Sequence, residues 1–317
     1  MANTNLANAK TAKNDEFYTQ YPDIQKEINA YLDYDPNVFR GKTVLLPCDD
    51  PEWSNFTKFF AQNFELLGLK KLISTSYAPE SKKYKMPYQP TLFETEQPHF
   101  NADKSKTHGK IFVLERDVTG DNRINIEDLQ WQYLEGDGDF RSKEIRKLRD
   151  EADIIVTNPP FSLFREYVAQ LIEYDKKFLI IGNQNNATYK EIFPLLMQNK
   201  IWLGYKTGGM SFKVPEYYGE RVSRFWIDDS GQKWRSMGNI CWYTNLDHKK
   251  RHEDMILYKY YSPEAYPRYI NYDAIEVSKT EHIPVDYDGI MGVPITFLDK
   301  YNPSQFEIIG IGNGGEL

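Results

Sequence analysis

Residues 153–161 read Asp-Ile-Ile-Val-Thr-Asn-Pro-Pro-Phe, an apolar run that ends abruptly in a polar, proline-stiffened corner. Ile154, Ile155, Val156 and Thr157 are all β-branched, and a short run of that kind predicts a strand buried on both faces. Pro159 and Pro160 fix φ and carry no N–H, so the strand stops there and leaves a corner that can only accept hydrogen bonds. Downstream, residues 163–174 carry apolar side chains at helical spacing, 177–182 (KFLIIG) form the next buried strand, and Asn183-Gln184-Asn185-Asn186 follow it. Upstream, residues 135–140 (EGDGDF) make a turn into a charged helix over 142–151. Farther back, residues 42–47 (KTVLLP) are a strand that breaks at Cys48-Asp49-Asp50-Pro51. Phe56, Phe59, Phe60, Phe64 and Leu67 then mark a helix over 54–67. Residues 72–77 and 111–114 read as further strands and 24–31 as an early helix, with 78–110 a long loop or insertion. Strands alternating with helices predict an α/β fold with a mainly parallel sheet. Ligands in such sheets bind at the carboxyl ends of the strands, and the CDDP, GDGDF and NPPF turns all fall at or near such ends.

The corner at 158–161 has a chemical reading. A planar amino or amide nitrogen is a poor nucleophile because its lone pair is delocalised. A transferase must therefore grip both N–H bonds so that the lone pair faces the electrophile. The Asn158 side-chain oxygen and the Pro159 carbonyl are two suitable acceptors, Pro160 stiffens the corner, and Phe161 offers a flat face for a base. With a sulfonium methyl donor no strong base or metal is needed, so the protein's part is positioning and electrostatics. A nucleobase inside a duplex would have to be flipped out to reach this pocket. By itself the tetrapeptide fits an adenine or guanine amine in DNA or RNA, or a glutamine amide, equally well. A plain turn after a strand is the structural alternative, and the placement between a buried strand and an amphipathic helix weighs against it.

Cofactor candidates lie at the other turns. Asp49 and Asp50 follow a strand and suit the positively charged parts of S-adenosylmethionine, with a turn or helix-capping role as the alternative. No G-x-G loop accompanies them. Asp139 could accept from the adenine amine of such a cofactor with Phe140 over the ring, and Gly136 and Gly138 would permit close backbone approach. A glycine turn that caps the 142–151 helix is the competing reading. Residues 15–21 (DEFYTQY) form an aromatic and polar cluster that could close over the methionine end.

Taken together, NDEFYTQY (14–21), CDDP with WSNF (48–56), GLKKLISTSY (68–77), GDGDFRS (136–142), VTNPPFSLFREY (156–167), YDKKFLIIGN (174–183), KIWLG (200–204), YDAIEV (272–277) and GIMGVPITFLDKYNPSQFEI (289–308) resemble the EcoRI-type adenine-specific DNA methyltransferases. The resemblance covers residues 14–310. It implies a Rossmann-like S-adenosylmethionine-dependent methyltransferase fold and a monomer that methylates adenine N6 in duplex DNA, with target recognition in the later part. It places Asn158, Pro159, Pro160 and Phe161 in the catalytic motif, and Tyr18 and Thr19 in the N-terminal cofactor motif. Cys48, Asp49, Asp50 and Pro51 fall at the first cofactor turn, and Asp139 and Phe140 at the adenine-binding turn. It also implies that relatives continue beyond Leu317, and that a cognate restriction endonuclease can act on the same site without contact. The expected organisation is a tail over 1–14, a catalytic domain over 15–204 and a target-recognition region over 205–317.

Bulk properties agree. The chain has 317 residues, 40% of them hydrophobic, and its 15% aromatic content includes 23 Tyr and 18 Phe, enough both to pack a core and to stack on bases. The net charge of −7 is uneven. Residues 200–260 hold eleven Lys/Arg against seven Asp/Glu, a local +4 that leaves −11 elsewhere, as suits nucleic acid on one face. Cys48 and Cys241 are the only cysteines and have no ligand spacing, which excludes a disulfide framework or zinc site and fits a reducing cytoplasm. No run approaches the roughly 18 apolar residues that span a bilayer. Within 205–255, Arg221, Arg224, Lys233 and Arg235 interleave with Phe225, Trp226 and Trp234 as candidates for phosphate and base-edge contacts. Residues 208–212 (GGMSF) could approach a backbone or insert at a base step. His248 and His252 have an i, i+4 spacing, but Lys249, Lys250 and Arg251 between them favour a basic surface patch over a metal site.

Overall fold

The computed structural model describes residues 17–52, 54–79, 95, 100–115, 131–216 and 218–312. The expected tail over 1–14 and most of the expected insertion over 78–110 lie outside the described residues.

Eight strands form the central sheet: β1 (Thr43–Leu46), β2 (Lys71–Thr75), β3 (Lys110–Leu114), β4 (Trp131–Tyr133), β5 (Ile154–Thr157), β6 (Lys177–Asn183), β7 (Trp202–Thr207) and, after an excursion, β11 (Ile240–Thr244). Their spatial order is β4-β3-β2-β1-β5-β6-β11-β7. The four central strands are mutually parallel. Antiparallel pairings add β3 and β4 on one side and β11 and β7 on the other, so six of the eight strands run the same way. This is the Rossmann-like architecture that the resemblance implies. Every residue of β1 and β5 is buried, because helices cover both faces.

The strand period of two sorts the side chains into two cores. Val44, Leu46, Ile154, Val156, Leu179 and Ile181 face one layer, against Ile24, Ile28 and Tyr31 of α1 (Tyr21–Tyr34) and Phe56, Phe59 and Phe60 of α2 (Asn55–Gln62). Leu45, Ile73, Ile155, Phe178 and Ile180 face the other. There α5 (Lys143–Glu151) supplies Ile145, and α6 (Phe164–Glu173) supplies Phe164, Tyr167, Val168 and Leu171. Between α2 and α5 lie two short helices, α3 (Phe64–Leu67) and α4 (Lys104–Thr107). The helix expected over 54–67 is broken at Asn63. Its side-chain amide donates to the Phe59 carbonyl at 2.8 Å, a local bond that competes with helix continuation.

The sheet runs past the boundary expected at residue 204. That point falls inside β7, and β11 lies between β6 and β7, so residues 205–207 and 240–244 belong to the central sheet. Between β7 and β11 the chain leaves to build a three-stranded antiparallel sheet, β8 (Met210–Lys213), β10 (Lys233–Met237) and β9 (Phe225–Ile227) in that order. A third, smaller core, with Tyr266, Ile275, Val277, Ile283 and Phe297, forms around the parallel pair β12 (Ala274–Glu276) and β13 (Ile290–Gly292). Among the described residues no helix is long and apolar enough to cross a membrane.

Candidate active site

The topology brings the three turns to one edge. β1 ends at Pro47-Cys48-Asp49, β4 at the 134–140 turn and β5 at Asn158. All three strands point the same way, so their carboxyl ends share one rim of the sheet.

At the end of β1, Asp49 is buried at 6% exposure. Its Oδ1 accepts from the Ser54 hydroxyl at 2.6 Å and its Oδ2 from the Thr157 hydroxyl at 2.7 Å, which joins β1 to the residue before the NPPF corner. Both partners are neutral. Desolvation, opposed by those two hydroxyls and helped by the charge of Asp50, pushes the carboxyl up to about 7. An acid with neutral partners at the mouth of a Rossmann-like sheet fits a cationic ligand, which would relieve the cost of its charge. Asp50 instead does turn work: its Oδ1 accepts from the Glu52 N–H at 2.9 Å and its carbonyl from the Ser54 N–H at 2.9 Å. Ser54 then caps α2 through the Phe56 N–H at 3.0 Å. Pro51 is buried behind this turn. Burial and the neighbouring Asp49 push the Cys48 thiol up, which favours its neutral form.

In the GDGDF turn the close backbone approach expected of the glycines is made to the protein itself. Gly138 has φ 81°, and a Cβ there would lie 2.0 Å from the Ser76 carbonyl at the end of β2. Asp139 accepts from the Arg141 backbone N–H and Nε, each at 2.8 Å, and pairs with Nη2 at 2.5 Å. Phe140 is 8% exposed and packs edge-on to Tyr167, 5.1 Å between centroids. The turn lies at the rim, while Phe140 is a core residue and Asp139 has a cation already at hand.

The NPPF corner is met from the far end of the chain. Asn158 Nδ2 donates to the Phe17 carbonyl at 2.7 Å and to Thr19 Oγ1 at 3.3 Å. A carbonyl can only accept, so the amide nitrogen must face Phe17. Oδ1 is thereby turned away from residues 17–19, and no described hydrogen bond ends on it or on the Pro159 carbonyl. Pro160 accepts from the Leu163 N–H at 2.9 Å, which starts the helical turn into α6. Phe161 stacks on Phe17 with centroids 5.3 Å apart and planes at 21°. Phe17 therefore covers one face of Phe161, a partly buried ring packed at the margin of the main core. Thr19 is 5% exposed, and its carbonyl accepts from Asn55 Nδ2 at 2.7 Å. Tyr18 is 45% exposed and forms a single antiparallel bridge to Lys213 of β8.

Comparison with known proteins identifies the family of the chain. The family model described as "Adenine-specific methyltransferase EcoRI" matches residues 5–317. The chain belongs to the EcoRI family of adenine-specific methyltransferases. It is 48% identical to the Type II methyltransferase M.EcoRI of Escherichia coli over 98% of this chain and 89% of that one. It is 38% identical to the Type II methyltransferase M.MpnI of Mycoplasma pneumoniae, over 95% of this chain and 83% of the relative. Against M.MgeORF184P of Mycoplasma genitalium it is 36% identical, over 95% and 84%. No solved structure matches. As a member of this family the chain is an adenine-specific DNA methyltransferase that uses S-adenosylmethionine as methyl donor.

The basic candidates divide. Lys233 Nζ donates to the Glu216 carbonyl at 2.6 Å and the Tyr218 carbonyl at 3.2 Å, and Arg235 Nη1 donates to the carbonyls of Ser223 and Arg224. Both tie the loop between β8 and β9 to β10. Arg221 and Arg224 stay exposed. Arg224 has a left-handed backbone (φ 54°), and its guanidinium lies where a Cβ on Gly238 would sit. On one face of this sheet Trp226 stacks parallel to Trp234 at 5.8 Å, and Lys213 Nζ lies 5.5 Å from the Trp234 ring. His248 is buried, with Nε2 on the Leu203 carbonyl at 3.0 Å, and His252 pairs with Asp247. No metal-binding cluster is present among the described residues. In the sequence Thr19 is a named candidate and Phe17 stands in the 15–21 cluster without a role at the corner, while Ser54 and Thr157 carry no assigned role. A hydroxyl ending an apolar strand was the available signal for Thr157. Nothing local marks Phe17, whose partner is 141 residues away.

Proposed function

We propose that this chain methylates N6 of an adenine flipped out of duplex DNA, with Asn158 Oδ1 and the Pro159 carbonyl gripping the two N–H bonds of the amine. The observation that carries the reading is the orientation of Asn158: its amide nitrogen is held by Phe17 and Thr19, which leaves the oxygen as the free acceptor. Gripped in this way, the amine can pyramidalise so that its lone pair points out of the ring plane toward the methyl group. The two oxygens then stabilise the positive charge that grows on nitrogen. The face of Phe161 away from Phe17 would stack the base. S-Adenosylmethionine supplies an activated methyl on a sulfonium that leaves as a neutral thioether. Asp49, and the turn built by Asp50 and Pro51 beside Cys48, would hold its cationic part at the end of β1, with Tyr18 and Thr19 near the methionine end. Asp139 would serve the adenine end once released from Arg141, over the turn that Phe140 anchors.

Target recognition is assigned to residues 208–239 and to the C-terminal core, with Arg221 and Arg224 on the DNA backbone. A monomer working in the cytoplasm, alongside an endonuclease of the same sequence specificity, completes the reading. Asn158→Ala tests it: methyl transfer to duplex DNA should be lost while S-adenosylmethionine binds as before. Retained transfer would remove Asn158 from its role.

A further inference from the structure

The segment 17–19 touches two bodies that the reaction must bring into register, and its contacts to each are different. Toward the catalytic corner it offers two acceptors, the Phe17 carbonyl at 2.7 Å and Thr19 Oγ1 at 3.3 Å, and both go to one atom, Asn158 Nδ2. Toward the three-stranded sheet it offers a backbone donor, with Tyr18 N–H bonded to the Lys213 carbonyl at 2.9 Å. The Phe17 ring does both jobs. It stacks on Phe161 and meets Phe212 of β8 edge-on at 5.6 Å and Tyr218 edge-on at 6.0 Å. The segment is itself anchored, since Asn55 Nδ2 holds the Thr19 carbonyl at 2.7 Å.

We propose that residues 17–19 are a positioning clamp for the transfer step: Thr19 Oγ1 and the Phe17 carbonyl set the rotation of the Asn158 amide so that its oxygen faces the target amine, and the bridge from Tyr18 to Lys213 ties that setting to the sheet assigned to DNA recognition. This inference rests on the assignment of Asn158 as the amine acceptor and adds to it. An amide has two nearly isosteric orientations, and only one presents an acceptor to an N–H bond. If the amide turned over, Oδ1 would lie against the Phe17 carbonyl, oxygen against oxygen, and Nδ2 would face the amine, donor against donor. The Phe17 carbonyl, which can only accept, opposes that state, and Thr19 Oγ1 adds a second acceptor to the orientation observed. Thr19 is thus a positioning residue that acts through Asn158.

The test compares Thr19→Val, which keeps the shape and removes the acceptor, with Thr19→Ser, which restores an oxygen. Single-turnover methylation of a cognate duplex, S-adenosylmethionine affinity by calorimetry, duplex affinity and thermal midpoint are read for each. Thr19→Val should lower the methylation rate about tenfold, the worth of one hydrogen bond in a desolvated site. Duplex affinity should stay within about twofold of the parent, any fall in cofactor affinity should be smaller than the fall in rate, and Thr19→Ser should recover most of the rate. A Thr19→Val loss that appears as weaker cofactor binding at unchanged rate would overturn the clamp and make Thr19 a cofactor contact only. A rate within about twofold of the parent would overturn it too. Equal losses in Val and Ser variants with a lowered thermal midpoint would reduce the segment to a structural strap. Asn158→Ala is run alongside. If it is inactive while Thr19→Val is normal, the clamp alone fails, and if it is active, the acceptor assignment fails first.

Discussion

Replacing Asn158 by Asp separates an acceptor from an oriented acceptor. Aspartate is isosteric and keeps an oxygen where Asn158 Oδ1 meets the target amine, so a site needing only an acceptor would tolerate it. In this structure the second carboxylate oxygen would replace Nδ2, placing it 2.7 Å from the Phe17 carbonyl and 3.3 Å from Thr19 Oγ1. The bond to Phe17 becomes a contact between two acceptors, and the one to Thr19 survives only if that hydroxyl turns to donate. Losing a neutral hydrogen bond costs about 1 kcal/mol, and leaving the partly buried Phe17 carbonyl facing an anion adds about 1–2 kcal/mol more. A total of about 2–3 kcal/mol at the transition state is about 30- to 150-fold in kcat/KM. A protonated carboxyl can donate to the Phe17 carbonyl, so the loss should shrink as the pH is lowered from 8 to 6. Steady-state methylation of a cognate duplex across that range measures both effects. A variant within about threefold of the parent at pH 8, or one whose deficit does not change with pH, would refute the orientation argument.

Other consequences are equally direct. Asp49, pushed up to about 7 by burial without a cationic partner, is substantially protonated near neutrality. A cation bound beside it favours the carboxylate, so binding of S-adenosylmethionine should release a fraction of a proton at pH 6.5–7. Calorimetry in two buffers of different ionisation enthalpy should show that release, and Asp49→Asn should abolish it; equal release in the variant would place the cofactor's charge elsewhere. Arg221→Ala and Arg224→Ala should each weaken duplex binding and lower the salt dependence by about one phosphate contact. Lys233→Ala and Arg235→Ala, which remove bonds to loop carbonyls, should instead lower the Tm by an amount worth about 1–2 kcal/mol with the salt slope unchanged. A salt slope that falls for Lys233 or Arg235 would reverse the division.

The sheet was legible in the sequence wherever a strand was buried on both faces. The apolar runs ending at Leu46, Thr157 and Asn183 stand out because parallel strands between helix layers have no polar alternation, and each terminates in turn chemistry that marks the ligand-binding rim. Local competition was less visible. The break at Asn63 needed a side-chain bond to the Phe59 carbonyl that spacing does not show, and β11 is a short run whose place between β6 and β7 is fixed only by pairing. In the candidate site, the residues read from strand ends, Asp49 and Asn158, came together as expected. Charge alone did not separate Lys233 and Arg235, which bond to loop carbonyls, from the exposed Arg221 and Arg224. Phe17 was visible only as a member of the 15–21 cluster, since its place at the corner depends on contacts to Asn158, Phe161 and Phe212 that are remote in sequence.

The central claim is that the Asn158–Phe161 corner grips an adenine amine in DNA. It is tested by incubating the protein with S-adenosylmethionine labelled in the methyl group and a duplex of mixed sequence, then digesting the DNA to nucleosides and locating the label. The account predicts label in N6-methyldeoxyadenosine, and none with Asn158→Ala. Label in a cytosine derivative, in RNA or in protein while the duplex stays unmodified would contradict it.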